Sequence, residues 1–432
     1  MRDSDGLLRD RSVIISNGFQ RYVMAAHAAE ISARGRLDRL ITGPYPTPRV
    51  CRFIDRIGLT GQRRLGRLLD RAEAIPDDRV VALWWPEVPS QIGLAIRHRP
   101  RMANFSWWLE ALGQRWYGRQ AVRTVRASRA SVYHYRAGFG GASVEAARRA
   151  GMITLVQHTV AHPAVLEYLV QNGGRFPAPG ERGPITPMMK NVLEDIGRAD
   201  VVMTDCAFVH QTFVHQGWRA EDIQVIEPGV DDLFLTLVPD PLPTRSGPIR
   251  LLFAGNFERR KGADALMRAL PLLQGDWSVD VIGRPSPDML EAHATMLRDP
   301  RVRMVGLVRR AELAQRMADS DVLVFASLAE GSARVNWEAM AAGSYVINTP
   351  NSGSIVEDGV HGAIVPPDDP PALARAIQWT LDHPEETRRV GTANAVLMRT
   401  EYTQARYGER LEAFYDRLIE ARAATTRGAA RP

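Results

Sequence analysis

Two glutamates, Glu330 and Glu338, are separated by seven residues near the C-terminal end of an apolar run. The run, residues 321–327, has the composition of a buried strand, and Glu338 lies in a segment rich in small residues that stops at Gly343. A strand end, a glycine loop and a helix start together form a site where backbone N–H groups point at an anion. The pair therefore predicts a pocket for a ligand that is both anionic and rich in hydroxyls, such as a nucleotide sugar.

The loop between the glutamates supports this interpretation. Gly331 allows a ligand to approach the backbone closely, and Ser332 and Ala333 are small enough for their N–H groups to face phosphates. The alternative is an ordinary acidic pair that faces solvent. Asn336 and Trp337 favour the first interpretation, because they indicate a packed helix rather than a solvated one.

A second stretch, Gly255 to Gly262, carries cations where a helix is predicted to start. Arg259, Arg260 and Lys261 follow a buried strand and crowd the predicted helix N-terminus, where positive charge opposes the macrodipole. An anionic ligand would remove that conflict, and a diphosphate suits a guanidinium next to an ammonium. Three solvated loop residues are the alternative, and this stretch alone does not decide between the two.

Together these stretches resemble the glycosyltransferases of family four (group one), which have the GT-B fold. The family carries Glu, seven residues and Glu-Ala-Met-Ala-x-Gly, which residues 330–343 match, and Gly, five residues and Lys-Gly, which residues 255–262 match. Pro228-Gly-Val-Asp231 and the strand end at residues 303–308 add to the similarity. The similarity spans residues 223–381, and the N-terminal half resembles the family mainly in architecture.

The resemblance implies roles for individual residues. Glu330 would contact hydroxyls of the donor sugar, Glu338 would bind the ribose, and Lys261 with Arg260 would hold the diphosphate. Asn256 stands where many members have Arg, and Arg334 is unusual for the family, so that it either adds a phosphate contact or narrows the sugar pocket. The implied catalytic residues are Glu330, His158 and Lys261. The implied donor-binding residues are Gly18, Gly255, Asn256, Arg260, Lys261, Gly283, Leu307, Val308, Gly331, Ser332, Ala333, Arg334 and Glu338.

Loops at predicted strand ends in the N-terminal half supply further candidates. His158 resembles the histidine that lines the donor sugar in the family, with a hydrogen-bonded structural histidine as the alternative. His134, Arg136 and His162 are candidate acceptor contacts or packing residues. His158 and His162 are four residues apart, which invites a metal interpretation, but no third ligand is evident and the family needs none. No metal or other cofactor is therefore expected.

Short apolar strands alternate with amphipathic segments along almost the whole chain of 432 residues. This alternation predicts an α/β protein of two Rossmann-like domains that face each other across a cleft, the GT-B arrangement. The predicted division is an acceptor-binding domain at 1–232, a proline-rich linker at 233–248, a nucleotide-sugar domain at 249–400, a helix that crosses back to the first domain at 401–424 and a disordered tail at 425–432.

Composition narrows the setting. Two cysteines cannot make a disulfide framework, no signal peptide is evident and no apolar run could cross a bilayer, so a cytoplasmic protein is expected. The excess of basic residues lies in the N-terminal half, which contains several tryptophans and the arginines Arg63, Arg64, Arg67 and Arg71. One interpretation is that the arginines lie on solvated helix faces and the tryptophans pack in the core. The other is that both dock peripherally on an anionic membrane. Nucleic acid is not an expected partner, since no nucleic-acid module accompanies the charge.

The resemblance implies a retaining glycosyltransferase that moves a hexosyl unit from a nucleoside diphosphate sugar to a hydroxyl of a glycan or lipid-linked acceptor. Bacterial polysaccharide, lipopolysaccharide or glycolipid assembly is the expected setting. The alternatives are a non-catalytic nucleotide-sugar-binding protein, and an epimerase or phosphorylase on the same fold.

Overall fold

The chain folds around two parallel β-sheets in a computed structural model that describes residues 11–19, 23–56, 68–69, 71–97, 99–240, 242 and 245–429. The first sheet has the strand order β3-β2-β1-β4-β5-β6-β7. Its strands are β1 Val13–Gly18, β2 Leu37–Thr42, β3 Val80–Ala82, β4 Val132–Arg136, β5 Ile153–Gln157, β6 Val201–Thr204 and β7 Ile223–Val225.

The second sheet has the order β10-β9-β8-β11-β12-β13. Its strands are β8 Ile249–Ala254, β9 Trp277–Ile282, β10 Val302–Gly306, β11 Val322–Phe325, β12 Tyr345–Asn348 and β13 Gly362–Ile364. Two α/β units, each with a parallel sheet and a strand order that reverses next to its first strand, are the GT-B arrangement that the alternation predicted.

Helices cover both faces of each sheet, because parallel strands are buried on both sides. In the first half they are α1 Val23–Ala33, α2 Pro48–Arg56, α3 Glu87–Ile96, α4 Ala103–Ala127, α5 Ala142–Arg149, α6 Pro163–Gln171, α7 Pro187–Arg198 and α8 Ala207–His215. In the second half they are α9 Asp232–Leu237, α10 Ala263–Ala269, α11 Pro287–Ala292, α12 Arg310–Ala318, α13 Arg334–Ala341, α14 Pro370–Asp382, α15 Pro384–Glu401 and α16 Gln404–Ala429.

The last helix, α16, packs on the first sheet although it follows the second in sequence. Tyr407 hydroxyl lies 3.1 Å from His27 Nδ1 on α1, and Tyr415 hydroxyl lies 2.7 Å from His134 Nδ1 on β4. Leu411 and Phe414 join the same buried cluster. Residues 404–429 therefore connect the end of the chain to the core of its N-terminal half.

Two local expectations are wrong. The proline-rich linker was expected to have no helix, but residues 232–237 form α9. The Asp231 side chain caps this helix, because it accepts a hydrogen bond from Leu233 N. The tail was expected to be disordered from Thr425, but α16 continues to Ala429. Ala421, Ala423 and Ala424 favour helix at this point, and Thr425 Oγ1 donates to the Ala421 carbonyl.

Within the described residues, none of the helices is both long enough and apolar enough to span a bilayer. Arg63, Arg64 and Arg67, which were considered for membrane docking, lie outside the described residues. Arg71 makes a paired contact, with two nitrogens each 2.8 Å from an oxygen of Glu87. Because Glu87 is buried, Arg71 serves as its counter-ion rather than as a free surface cation.

Candidate active site between the two sheets

Three of the predicted residues meet in one charge cluster. Glu330 Oε1 lies 2.6 Å from Lys261 Nζ and 2.7 Å from Arg260 Nη1. Glu330 belongs to the loop that follows β11, and the two cations belong to a turn that follows β8, the neighbouring strand. The carboxyl ends of adjacent parallel strands thus bring together the two motifs that the sequence separates by about 70 residues.

A glycine fixes the turn that carries the cations. Gly262 has a φ of +83°, and a Cβ there would lie 2.2 Å from the Ala326 carbonyl oxygen. Leu328 N also donates to the Arg260 carbonyl at 2.8 Å. The turn is a 3₁₀ segment, Arg259–Lys261, and the α-helix starts only at Ala263 rather than at Lys261 as predicted, because the left-handed glycine interrupts the helical path.

The loop between the glutamates is bonded to the N-terminal half. Val160 and Gly331 form an antiparallel bridge, and Ser332 N donates to the Thr159 carbonyl at 3.1 Å. A Cβ on Gly331 would lie only 1.7 Å from the same carbonyl oxygen, so only glycine allows this approach. The expectation that the Ser332 N–H faces phosphate is wrong for this arrangement, since that donor serves the contact between the two halves.

The next donor in the loop is also occupied. Ala333 N donates to the carbonyls of Ser352 and Gly353 at 3.1 and 3.2 Å, so the prediction that it faces phosphate is also wrong. The Ala333 N–H is therefore bonded to the loop after β12, which packs against the loop between the glutamates. The anion-binding character of the site rests on the side chains of Arg260 and Lys261 rather than on these two amides.

Glu338 is buried and has a cation partner that was not predicted. Its Oε1 accepts from Arg310 Nη2 at 3.0 Å, and the same nitrogen donates to Asp231 Oδ2 at 2.9 Å. Arg334 Nη2 lies 3.7 Å from Asp231 Oδ2, which closes a network of two carboxylates and two guanidiniums. Burial raises the pKa of Glu338, while Arg334 and Arg310 oppose the rise. The sequence signal that could have identified Arg310 is its position at the start of α12, just after the loop that follows β10.

Glycines bring the remaining donor candidates to the same sheet edge. A Cβ on Gly283 would lie 1.8 Å from the Gly255 carbonyl oxygen, so the ends of β8 and β9 touch. Asn256 and Leu307 are exposed beside them, and Leu307 is 67% exposed. Val308, by contrast, packs against the core cluster next to α12.

His158 is placed in the loop that meets Gly331. It is buried, its ring lies edge-on to Phe213 and its Nε2 is 3.4 Å from the Ala161 carbonyl oxygen. Burial lowers the pKa of His158 to about 4, so the imidazole is neutral at pH 7. The structure therefore presents His158 as a neutral side chain at the contact between the two halves.

Of the three acceptor candidates, two are structural. His134 is fully buried under α16 with its Nδ1 at Tyr415, so it does not face the cleft. His162 caps α6, where its Nδ1 accepts from Ala164 N at 3.3 Å. Both were predicted from a strand-end position, but their side chains turn into packed cores. Arg136 is only partly buried and donates to the Phe19 carbonyl at 3.3 Å.

Gly18 lies at the end of β1 with a φ of +78°. Its N–H donates to the Tyr117 hydroxyl at 3.2 Å, and a Cβ there would lie 2.7 Å from the Phe139 ring. The position requires glycine for packing as well as for backbone conformation. Gly18 is therefore at the sheet edge where it was expected, with α4 supporting it from behind.

Asp205, at the end of β6, is a buried carboxyl that was not predicted. Its Oδ1 accepts from Gln157 Nε2 at 2.8 Å, and burial raises the pKa of Asp205 to about 7. The neighbouring Cys206 is also buried, and its Sγ lies 3.6 Å from the Gly331 carbonyl oxygen. The strand-end position of Asp205 was the available signal.

A cavity of about 430 Å³ lies between the two halves beside this edge, lined in part by Cys206, Glu227, Glu357, His361 and Tyr402. Its lining does not include Glu330, Arg260 or Lys261. Among the described residues, no group of three His, Cys, Asp or Glu side chains is arranged to hold a metal ion.

Comparison with known proteins places the C-terminal half in a family. Residues 248–383 match the family model described as "Glycosyl transferases group 1". Residues 248–383 thus resemble a group 1 glycosyl transferase domain. This group 1 domain contains both glutamates, the cation turn and Arg310, so the charge cluster lies entirely within the matched region.

Curated relatives cover part of the chain. A D-inositol 3-phosphate glycosyltransferase 1 from Catenulispora acidiphila is 32% identical over 229 residues, which are 48% of this chain and 55% of the relative. A D-inositol 3-phosphate glycosyltransferase from Streptomyces coelicolor is 34% identical over 160 residues, which are 33% of this chain and 35% of the relative. The chain thus spans about half or less of the length of these two relatives.

Solved structures match almost the whole chain in fold. Anabaena HepE, described in complex with UDP and glucose, has a TM-score of 0.59 at 15% identity and covers 94% of this chain and 99% of its own. Sucrose-phosphate synthase from Thermosynechococcus elongatus has a TM-score of 0.62 at 17% identity, with 95% and 100% covered. At these identities the similarity establishes the fold, in which the group 1 domain faces a second Rossmann-like half.

Proposed function

We propose that this protein is a retaining glycosyltransferase that moves a hexosyl unit from a nucleoside diphosphate sugar to a hydroxyl acceptor. The observation that carries the proposal is the cluster of Glu330, Arg260 and Lys261 at the edge where the two halves meet. Two cations within 2.7 Å of one carboxylate form a site that a diphosphate could share or take over. The group 1 family match supports the same assignment.

In this proposal the donor diphosphate replaces Glu330 as the partner of Lys261 and Arg260. The carboxylate of Glu330 is then free to accept hydrogen bonds from the donor sugar, while the cations stabilise the charge that develops on the leaving phosphate. Glu338, held by Arg310, would accept from the ribose with its second oxygen. The exchange of partners requires only side-chain movement within the cluster.

We infer retention because the motifs around Glu330 and Lys261 resemble those of a family that retains the anomeric configuration. His158 is neutral at pH 7 and has a lowered pKa of about 4, so it is a weak proton acceptor. The departing phosphate would instead take the acceptor proton on the face where it leaves, and His158 would steady the sugar. The reaction so described uses no metal ion or other cofactor.

For the acceptor and its biosynthetic setting, the proposal names a chemical class only. We propose a glycan or lipid-linked hydroxyl acceptor, in bacterial polysaccharide, lipopolysaccharide or glycolipid assembly. Both cysteines, Cys51 and Cys206, are free thiols, which supports the proposed cytoplasmic location. The names of the relatives refer to inositol 3-phosphate, and the predicted acceptor candidates His134, Arg136 and His162 lie outside the region that the family model matches.

The test combines donor binding with turnover. Purified protein is screened by thermal shift against uridine, guanosine and adenosine diphosphate sugars, and the stabilising donor is then used in a transfer assay with anomeric analysis of the product. Lys261→Ala is expected to remove the donor-induced shift and to lower kcat by about 100-fold or more. Arg259→Ala is the matched control, because Arg259 is exposed and pairs with Asp368 instead of Glu330.

Three results would contradict the proposal. Full transfer activity of Lys261→Ala would remove the role of the charge cluster. A donor-induced shift without turnover of any sugar would favour a nucleotide-sugar-binding protein. A product with inverted configuration would refute the retaining mechanism while leaving the glycosyltransferase assignment intact.

A further inference from the structure

Helix α4 has an apolar stripe on the side that faces away from the core. Phe105, Trp108, Leu112 and Trp116 follow each other at intervals of three and four residues and are all exposed, with Trp108 at 52%. Phe105 and Trp108 stack on each other with ring centroids 5.7 Å apart. A helix that buries one face, here through Leu109 and Tyr117 among others, normally presents polar residues on the other.

The neighbouring helix α3 adds more exposed apolar side chains. Val88 and Ile92 lie one turn apart, and Ile92 is 50% exposed. The loop before α3 exposes Trp85 at 69%. Helix α3 packs closely along α4, since a Cβ on Gly93 would lie 2.9 Å from the Ser106 carbonyl oxygen. We call the exposed residues Trp85, Val88, Ile92, Phe105, Trp108 and Trp116 the Trp surface.

The charge around the Trp surface is positive. Residues 84–127 contain only two acidic residues, Glu87 and Glu110, and both are buried. Glu87 pairs with Arg71, and Glu110 pairs with Arg97. The exposed charges of this segment are therefore cations, at positions Arg99, Arg101, Arg115, Arg119, Arg123 and Arg126.

We propose that the Trp surface docks on an anionic lipid bilayer. Tryptophan rings suit the region between acyl chains and headgroups, because they combine a large apolar body with a polar N–H. Arginines beside them would meet anionic headgroups, and each basic residue near such a surface adds to the attraction. The combination of an apolar helical stripe and an arginine border is the pattern of a helix that lies in the membrane interface.

Charge argues against the two other occupants of such a surface. A second copy of this chain would bring two arginine borders together without an exposed acidic partner from residues 84–127. Nucleic acid would leave the exposed apolar stripe without a matching hydrophobic surface. A bilayer satisfies both the apolar and the basic components, and we therefore assign the surface to lipid.

The inner side of α4 connects this surface to the cleft, an argument that rests on the proposed function. Tyr117 hydroxyl donates to the Ile41 carbonyl at 2.8 Å and accepts from Gly18 N at the end of β1. The helix that would lie on the membrane thus supports the end of β1, in the half that is predicted to bind the acceptor. A lipid-linked acceptor would have its headgroup held near that strand end while its lipid stays in the bilayer.

The experiment is vesicle flotation of the full chain, without donor, on phosphatidylcholine vesicles and on vesicles that contain 30% phosphatidylglycerol. The wild type is expected to float with the anionic vesicles and to be released by high salt. Trp85→Ser/Trp108→Ser should weaken partitioning by ~10-fold or more. Arg101→Gln/Arg119→Gln should weaken it by roughly fivefold for each arginine.

Matched controls separate the surface from general stickiness. Leu272→Ser/Val396→Ser removes equally exposed apolar residues from the C-terminal half, and Arg182→Gln/Arg298→Gln removes two exposed arginines outside residues 84–127. Both controls should float like the wild type. Thermal unfolding of every variant checks that it is folded, and the exposed positions should leave the melting temperature within about 2 °C.

Other outcomes would overturn the assignment. Equal flotation of wild type and both test variants would show that the Trp surface is not the contact. Failure of the wild type to bind anionic vesicles would refute docking outright. Dimerisation in solution that Trp85→Ser/Trp108→Ser abolishes would assign the surface to a second copy. Because flotation needs no donor, a wild type that floats but transfers no sugar would refute the proposed activity alone, and a wild type that transfers sugar but does not float would refute docking alone.

Discussion

A single glycine, Gly331, controls the contact between the two halves beside the charge cluster. Its α-carbon faces the Thr159 carbonyl so closely that a methyl group would have to displace the backbone. We expect Gly331→Ala to break the Val160 bridge and to move Glu330 away from productive geometry. A displacement of this size should lower kcat by about 10- to 100-fold, since a misplacement of about 1 Å can cost 10²-fold.

Steady-state transfer kinetics and small-angle scattering would measure this effect. Gly197→Ala is the control, because Gly197 lies in α7 with no atom near its would-be Cβ. An unchanged rate together with an unchanged radius of gyration for Gly331→Ala would show that the bridge does not contribute to activity.

Some of the site was predictable from single residues and some was not. The prediction that Glu330 and Lys261 serve one site agrees with their proximity at the ends of neighbouring parallel strands, but their direct ion pair was not predicted. The engagement of Ser332 N by Thr159 was not predictable, since it depends on how closely the other half approaches. The Arg310 contact with Glu338 likewise depends on how α12 enters its position after β10.

At the scale of elements, the strands were easier to predict than the helices that follow the last strand of the second sheet. The fully buried strand β11, Val322–Phe325, lies inside the predicted run at residues 321–327, because a strand that is buried on both faces is a short unbroken apolar run. Helix α15 was not predicted separately, because its polar residues hide the period. Pro384 at its first turn was the available start signal.

The C-terminal helix α16 should contribute measurably to the stability of the first sheet. Tyr415 is fully buried, and its hydroxyl is the partner of His134 Nδ1 at 2.7 Å. Tyr415→Phe leaves that ring nitrogen without this partner, and loss of one buried hydrogen bond costs about 1–3 kcal/mol. We expect a melting temperature lower by roughly 2–4 °C for each kcal/mol lost.

Differential scanning calorimetry would measure this change in the full-length protein. Tyr402→Phe serves as the comparison, since Tyr402 is only partly buried and lies between α15 and α16. A Tyr415→Phe protein as stable as the wild type would mean that α16 holds the sheet by apolar packing alone.

For the molecule as a whole, buried titratable groups at the contact predict opposing effects of pH. Burial lowers the pKa of His158 and of His162 to about 4, so these rings resist protonation in the folded state. The unfolded chain takes up those protons near the ordinary histidine pKa of about 6.5. Their contribution to stability is therefore present above about pH 6.5 and is lost as pH falls towards 4.

Asp205 acts in the opposite direction. Burial raises its pKa to about 7, the Gln157 amide and Arg334 oppose the rise, and Glu227 adds to it. The folded state therefore holds a proton that the unfolded chain releases near the ordinary aspartate pKa of about 3.9. Stability from this group is lost as pH rises from about 4 through 7, because the unfolded chain ionises at Asp205 while the folded protein keeps the carboxyl protonated.

Asp205→Asn isolates the contribution of this carboxyl to stability, since the amide oxygen can still accept from Gln157 but the side chain cannot ionise. We expect the variant to become progressively more stable than the wild type between about pH 4 and pH 7, and to keep a constant advantage above pH 7. Each 1 kcal/mol of that advantage should raise the melting temperature by about 2–4 °C. Melting curves of both proteins at half-unit pH steps would measure the difference. A difference that is flat from pH 4 to 8 would show that Asp205 does not titrate in this range. A difference that grows instead towards low pH would show that the folded state lowers the pKa of Asp205, so that the carboxyl near Gln157 and Arg334 is ionised in the folded protein.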